Sequence, residues 1–310
     1  MPAPQKPRAL EPGGTIRIIS PASPAEPEKL SRGMAELRRL GYVPETSAAM
    51  EFRNDYFAAG AKHRWNELTA ALEEKSAAAI LCARGGFGAA YLLDERMPRL
   101  APKILLGYSD ITSLQIFFRQ KHGWTGFYGP MAAAGFDAGA GAPGGYDEPS
   151  FRNAASQTRS GWTLDLDGDT LSSGEAQGVL LGGCMTLVEA TLGTPWELNT
   201  RGSILLLEDR GMKPYQVDRV LTHLRQAGKF EGVRGIILGE FPECDPPAVG
   251  SPPVRDVCKR ILGGLGVPVV WGARVGHTPR AMLTIPLGVR AKLRARGEGK
   301  LDVLEPAVTR

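Results

Sequence analysis

A chain of 310 residues, 43% of them hydrophobic and 23% charged, is long enough to bury a sizeable core in two domains. Its net charge of +4 comes from basic residues interspersed with acidic ones, which leaves no footprint for a nucleic acid partner. No apolar run is long enough to span a bilayer, and the opening Met1-Pro2-Ala3-Pro4-Gln5-Lys6 lacks the apolar core of a signal peptide. The four cysteines, Cys82, Cys184, Cys244 and Cys258, form no C-x-x-C pair and read as free thiols of a reducing compartment, so the expected location is the cytoplasm.

In chain order, apolar runs at Ile16 to Ile19, Ala78 to Cys82 and Ile104 to Leu106 alternate with helical stretches at Glu28 to Leu40, Trp65 to Glu74 and Thr112 to Lys121. That alternation predicts a parallel sheet covered by helices. The Gly/Ala/Pro-rich segment Gly135 to Pro149 breaks the periodicity and reads as a loop. Beyond it strands dominate: Trp162 to Leu166, Gln177 to Leu181, Ile204 to Leu207, Gly235 to Gly239 and Val267 to Val270, with one clear helix at Pro214 to Gln226. The tail Ala291 to Leu304 alternates about Gly297-Glu298-Gly299 as a hairpin does, and its Arg290, Lys292, Arg294 and Arg296 read as a solvated strand face. The expected fold class is α/β: a Rossmann-like, parallel-sheet N-terminal domain over 1–165 and a strand-rich C-terminal domain over 175–310, with no internal repeat.

Two turns in the first half carry chemistry. Ala83-Arg84-Gly85-Gly86-Phe87-Gly88 follows a short strand, and its glycines let backbone N–H groups approach a ligand, so it suits a phosphate or half of an oxyanion hole. A sterically required tight turn explains it equally well. At Gly107-Tyr108-Ser109-Asp110-Ile111 a buried strand ends and a helix opens, which places a serine hydroxyl at the carboxyl edge of the sheet. Ser109 is the candidate nucleophile, against the plainer reading that Ser109 or Asp110 only caps the helix.

A serine nucleophile needs a base and a group to orient it, and there are four histidines. His63 sits at a polar helix start, His122 at a helix C-terminus before a glycine, and His223 on the surface of the amphipathic run from Pro214. His277 lies in a Gly/Pro-punctuated loop after a strand, Gly276-His277-Thr278-Pro279, and is the candidate base. The orienting acid is expected at another strand end, where Ile204-Leu205-Leu206-Leu207 stops at Glu208-Asp209-Arg210. Either carboxylate serves on this reading, unless the cluster merely pairs with Arg210.

Together these segments carry a resemblance. Arg84-Gly85-Gly86-Phe87-Gly88, Gly107-Tyr108-Ser109-Asp110, Phe127-Tyr128-Gly129-Pro130, Leu207-Glu208-Asp209 and Gly276-His277 resemble, in order and spacing, the motifs of the LD-carboxypeptidase family, which also includes the microcin C immunity peptidases. The resemblance runs from Pro12 through Gly288. It implies a Ser109-Glu208-His277 triad and an oxyanion hole from the N–H of Asp110 and one from Gly85 or Gly86. It implies an active site between the two domains, no metal or cofactor, and a homodimer. The implied reaction is removal of the terminal D-alanine from cytoplasmic murein tetrapeptide across an L,D bond, through an acyl-enzyme. Arg84 is the candidate anchor for the substrate's free carboxylate, because a guanidinium presents paired donors; a surface arginine, or one bracing the loop through backbone carbonyls, explains it equally well.

Cys184 stands where relatives commonly carry the asparagine of G-G-N-L, which changes a contact near the domain junction. Two other functions stay in view: cleavage of a peptidyl or aminoacyl nucleotide, and a nucleotide-binding regulatory protein using Gly85 to Gly88. The second lacks its expected G-x-G-x-x-G, since the first turn reads Ser20-Pro21-Ala22-Ser23-Pro24.

Overall fold

The protein is described by a computed structural model covering residues 2–47, 55–93, 97, 100–244, 246 and 250–310. Its first sheet is built from β1 (Thr15–Ile19), β2 (Val43–Thr46), β3 (Ala77–Cys82), β4 (Ile104–Gly107), β5 (Gly126–Tyr128) and a late arrival, β11 (Ile285–Leu287). The spatial order is β11-β5-β4-β3-β1-β2, all parallel except β11, which runs antiparallel to β5. Helices α1 (Pro27–Arg39), α2 (Ala61–Glu73) and α3 (Thr112–His122) are the connections that parallel pairing requires. Pro286 is tolerated in β11 because that strand lies at the sheet edge.

The other strands close a barrel in the order β10-β6-β13-β12-β7-β8-β9. Its members are β6 (Trp162–Ser172), β7 (Gly174–Cys184), β8 (Ser203–Glu208), β9 (Gly235–Leu238), β10 (Val269–Trp271), β12 (Arg290–Arg296) and β13 (Glu298–Val303). Every residue of β8 is buried, and its side chains alternate between two cores. Ile204 and Leu206 join the cluster containing Leu293 and Leu301, while Leu205 and Leu207 meet Val217 and Leu221 of α6 (Pro214–Gln226). Helix α6 is apolar at Val217, Val220, Leu221 and Leu224 for the same reason.

The parallel sheet, the strand-rich second half, helix α6 and the terminal hairpin form as the sequence predicts. The α-helices α4 (Glu148–Ser156), α5 (Met185–Glu189) and α7 (Val254–Leu262) were not anticipated, nor was the return of β11 to the first sheet. The basic residues of β12 are neutralised by neighbouring acids: Lys292 and Arg296 by Glu175, Arg294 by Asp302 and Arg290 by Glu305. All four cysteines are free and buried, and among the described residues no helix is long and apolar enough to cross a membrane.

Candidate active site

Strand β4 ends at Gly107, and a 3-10 turn over Ser109–Ile111 leads into α3. Ser109 adopts φ +62°, a left-handed conformation uncommon for a residue with a side chain. Capping does not explain it. The N-cap of α3 is Ile111, with no side-chain cap bond, and Asp110 Oδ2 instead accepts the Ala89 N–H at 2.7 Å. Burial pushes the Asp110 carboxyl above its ordinary range, against the pull of that backbone N–H and of Arg64.

That bond ties the serine turn to the glycine turn. Arg64, itself buried, donates to the Gly88 carbonyl at 2.7 Å and to the Ala59 carbonyl at 2.8 Å. Ser23 completes the grip: its N–H reaches the Gly85 carbonyl at 3.1 Å, and its hydroxyl accepts the Phe87 N–H at 3.1 Å. Two glycines are required here for different reasons. Gly86 has φ +106°, and a Cβ there would stand 2.2 Å from Ser23 Oγ; a Cβ on Gly85 would stand 2.9 Å from Ser109 Cβ and 3.1 Å from its Oγ. The glycine turn therefore lies directly against the serine.

The acid and the imidazole come from the barrel side. Glu208 is the last residue of β8 and is wholly buried. Its Oε2 accepts both the His277 backbone N–H and the His277 Nδ1–H, each at 2.8 Å. The shared oxygen fixes the ring's tautomer and leaves Nε2 as the free nitrogen. Glu208 Oε1 accepts the Tyr128 hydroxyl at 2.5 Å.

The carboxylate fits because two glycines make room. A Cβ on Gly276, where φ is +60°, would stand 2.3 Å from Glu208 Cδ, and one on Gly239 would stand 2.6 Å from Glu208 Cβ. Burial pushes the His277 pKa down, but the Glu208 charge and hydrogen bond outweigh it and leave the imidazole above its ordinary value.

Asp209, the first residue after β8, bonds to α5 instead of His277. Its Oδ2 takes the Thr186 N–H at 2.9 Å and the Thr186 hydroxyl at 2.6 Å, at the start of α5. Arg210 pairs with Glu243 rather than with either carboxylate. The two acids that the sequence leaves equivalent are thus separated by geometry.

Ser109, His277, Arg84, Gly85 and Gly86 all line one cleft of about 690 Å³ between the first sheet and the barrel, together with Cys184 and Asp209. The segment from Gly135 to Asp147, which ends where α4 begins, closes one side, held to the His277 segment by Gly144 N–H to the Pro279 carbonyl at 2.8 Å and by Arg274 to Asp147 at 3.1 Å. The other histidines lie elsewhere: His63 in α2, His122 among Phe117, Phe118 and Trp124, and His223 on α6 against Glu189. Sequence reasoning missed Tyr128, Gly239 and the packing role of Gly276. Tyr128 stands within the quoted Phe127-Tyr128-Gly129-Pro130 run, but a tyrosine at a strand end announces no chemistry by itself.

Residues 16–129 match the LD-carboxypeptidase N-terminal domain, and residues 177–293 match the LD-carboxypeptidase C-terminal domain. The chain belongs to the LD-carboxypeptidase family. It is a hydrolase of the serine carboxypeptidase type.

A Bacillus subtilis (strain 168) protein described as a probable murein peptide carboxypeptidase is 33% identical over 309 residues, covering 98% of this chain and 95% of the relative. The solved muramoyltetrapeptide carboxypeptidase from Oxalobacter formigenes is 25% identical, with a TM-score of 0.80 over 94% of this chain and 99% of that one. The microcin C7 self immunity protein MccF, solved in complex with aspartyl sulfamoyl adenosine, is 25% identical with a TM-score of 0.87 over 99% of this chain and all of that one. Membership in a peptidase family displaces the reading as a nucleotide-binding regulatory protein.

Proposed function

We propose that this LD-carboxypeptidase family member removes the terminal D-alanine of murein tetrapeptide in the cytoplasm, as a homodimer, with Ser109 as nucleophile, His277 as general base and Glu208 as the acid that orients it. The observation that carries this reading is the Glu208–His277 pair, joined at 2.8 Å, on the same cleft as a serine held at φ +62°. In the proposed division of the chain, 1–165 supplies the nucleophile and 175–310 the acid and base.

Ser109 Oγ attacks the scissile carbonyl carbon while His277 Nε2 takes its proton; the C–N bond then breaks and the leaving amine departs with that proton. Water, activated by the same imidazole, hydrolyses the ester and restores Ser109. The developing oxyanion is met by the Asp110 N–H, near the start of a 3-10 turn, and by an N–H of the Gly85-Gly86 turn packed on the serine. No step requires a metal or cofactor. Relatives named for murein peptides support the substrate. The likeness to the immunity protein bound to an aminoacyl sulfamoyl adenosine supports an aminoacyl nucleotide as the second reading.

The base acts only when neutral, so kcat/KM is expected to rise as pH passes upward through the His277 pKa. Because that pKa is raised, the acid limb of the profile is expected above the ordinary imidazole value of about 6.5. In Glu208→Gln the limb should move down. A profile whose acid limb is unmoved by that substitution would break the link between Glu208 and the base. The same raised value means His277 adds stability that is fully present below its unfolded pKa and is lost as pH rises through its folded one.

Arg84 is proposed as the anchor for the substrate's terminal carboxylate. Among the described residues it is the cleft-lining cation without an ion pair, since Lys29 pairs with Glu26 and Arg210 with Glu243. Its guanidinium makes one long contact, 3.4 Å to the Pro24 carbonyl. Arg84→Ala should weaken transition-state binding of the acid substrate by roughly 1.5–3 kcal/mol, the value of a charge-assisted hydrogen bond, and barely affect the C-terminal amide. Steady-state kinetics on both substrates tests this, and equal losses would assign Arg84 to the loop instead.

A further inference from the structure

Tyr128 ends β5 on the first sheet, yet its hydroxyl serves the barrel. It donates to Glu208 Oε1 at 2.5 Å, and its oxygen lies 3.4 Å from the Ser109 N–H. One phenol therefore touches both the orienting acid and the turn that carries the nucleophile. Its ring is fixed from the barrel side by Gly183, where an added Cβ would come within 3.1 Å of Tyr128 Cε2 and 2.8 Å of Thr112 Oγ1. Thr112 in turn accepts the Cys184 N–H at 3.1 Å, so the junction is stitched on both sides of the tyrosine. Burial, followed by the charge of Glu208, pushes the phenol well above its ordinary pKa and keeps it a donor.

We propose that Tyr128 is a positioning residue: its hydroxyl holds Glu208 at the junction of the two sheets and sets how strongly that carboxylate grips the His277 imidazole. The proposal rests on the triad reading above. Glu208 is wholly shielded from solvent, so its Oε1 has no water to share its charge, and the phenol takes the place of water. The hydrogen bond to Oε1 draws negative charge away from Oε2, the oxygen that binds His277. Removing it concentrates charge on Oε2, strengthens the hold on imidazolium and raises the pH at which the base becomes free. The same loss loosens the carboxylate, so the ring is held less exactly over the nucleophile.

Tyr128→Phe keeps the ring and removes the hydroxyl. In a Ser109→Ala background, NMR titration of His277 should move up by about half a pH unit or more when Tyr128→Phe is added. With Ser109 intact, Tyr128→Phe should lower kcat/KM by roughly ten- to a hundredfold, mostly in kcat, with the acid limb shifted upward. Site-specific 3-fluorotyrosine at 128 is a stronger donor of the same shape and should shift His277 downward, which preserves the test should the phenylalanine variant fold poorly. A His277 titration unmoved by both replacements would overturn the proposal, since a tyrosine that only fills space leaves it unchanged. The NMR arm does not depend on turnover, so full activity in Ser109→Ala would sink the triad reading while the titration still reports on the coupling.

Discussion

Ser109→Ala is expected to abolish hydrolysis, with turnover down by about 10⁶-fold, by analogy with other serine peptidases. The fold should survive. Alanine meets the same left-handed backbone requirement at φ +62° that serine does, and its Cβ keeps the contact with the Gly85 turn. Circular dichroism and the unfolding midpoint should therefore stay close to those of the parent while product formation disappears. Near-normal turnover in a folded variant would remove Ser109 from the chemistry altogether.

Glu208→Gln should cost about 10⁴-fold in kcat, whereas Asp209→Asn should cost less than about tenfold. Glu208 Oε2 accepts two N–H groups of His277, and Oε1 accepts the phenol of Tyr128. A glutamine that turns its amide nitrogen toward His277 opposes two donors with a third. One that keeps its oxygen there preserves the tautomer and loses the charge that stabilises the imidazolium formed as Ser109 is deprotonated. Both outcomes weaken the base. Asp209 instead serves Thr186 and the Arg210 N–H, where an amide oxygen keeps most of the bonding. Kinetics of the two variants side by side decide the assignment, and a greater loss in Asp209→Asn would reverse it.

The difference between these neighbours marks where sequence reasoning stops. The continuous apolar run before Glu208 identifies a strand buried on both faces, and both carboxylates stand at its end. Consecutive strand residues point to opposite sides, and which side faces His277 depends on how β8 meets a loop 69 residues later. The serine turn was legible because a buried strand, a glycine and a polar pair stand together in six residues. His277 stands apart from the other three histidines in the sequence for a similar reason, since helix faces and a Gly/Pro loop are local patterns.

What stayed hidden is non-local. β11 has three residues, contains a proline and pairs with β5 across more than half the chain, so nothing in its own composition marks it as part of the first sheet. Tyr128, Gly239 and Gly276 matter through what packs on them: Glu208 occupies the space a Cβ would fill at both glycines, and Gly276 also has the left-handed φ of +60°. The cysteine at 184 shows the same limit. It lines the cleft beside Asp209, and its backbone N–H, rather than its thiol, makes the junction bond to Thr112.

Cleavage of an L,D amide bond by Ser109 is the reaction proposed for this family member. Its most direct test is mass spectrometry of the products formed from murein tetrapeptide and, separately, from an aminoacyl sulfamoyl adenosine, with Ser109→Ala as the parallel control. The wild-type protein is expected to shorten the tetrapeptide by one D-alanine and to leave the isomer with a terminal L-alanine intact, and Ser109→Ala is expected to lose this activity. An untouched tetrapeptide alongside a cleaved sulfamoyl adenosine would contradict the substrate, and D-alanine release that persists in Ser109→Ala would contradict the mechanism.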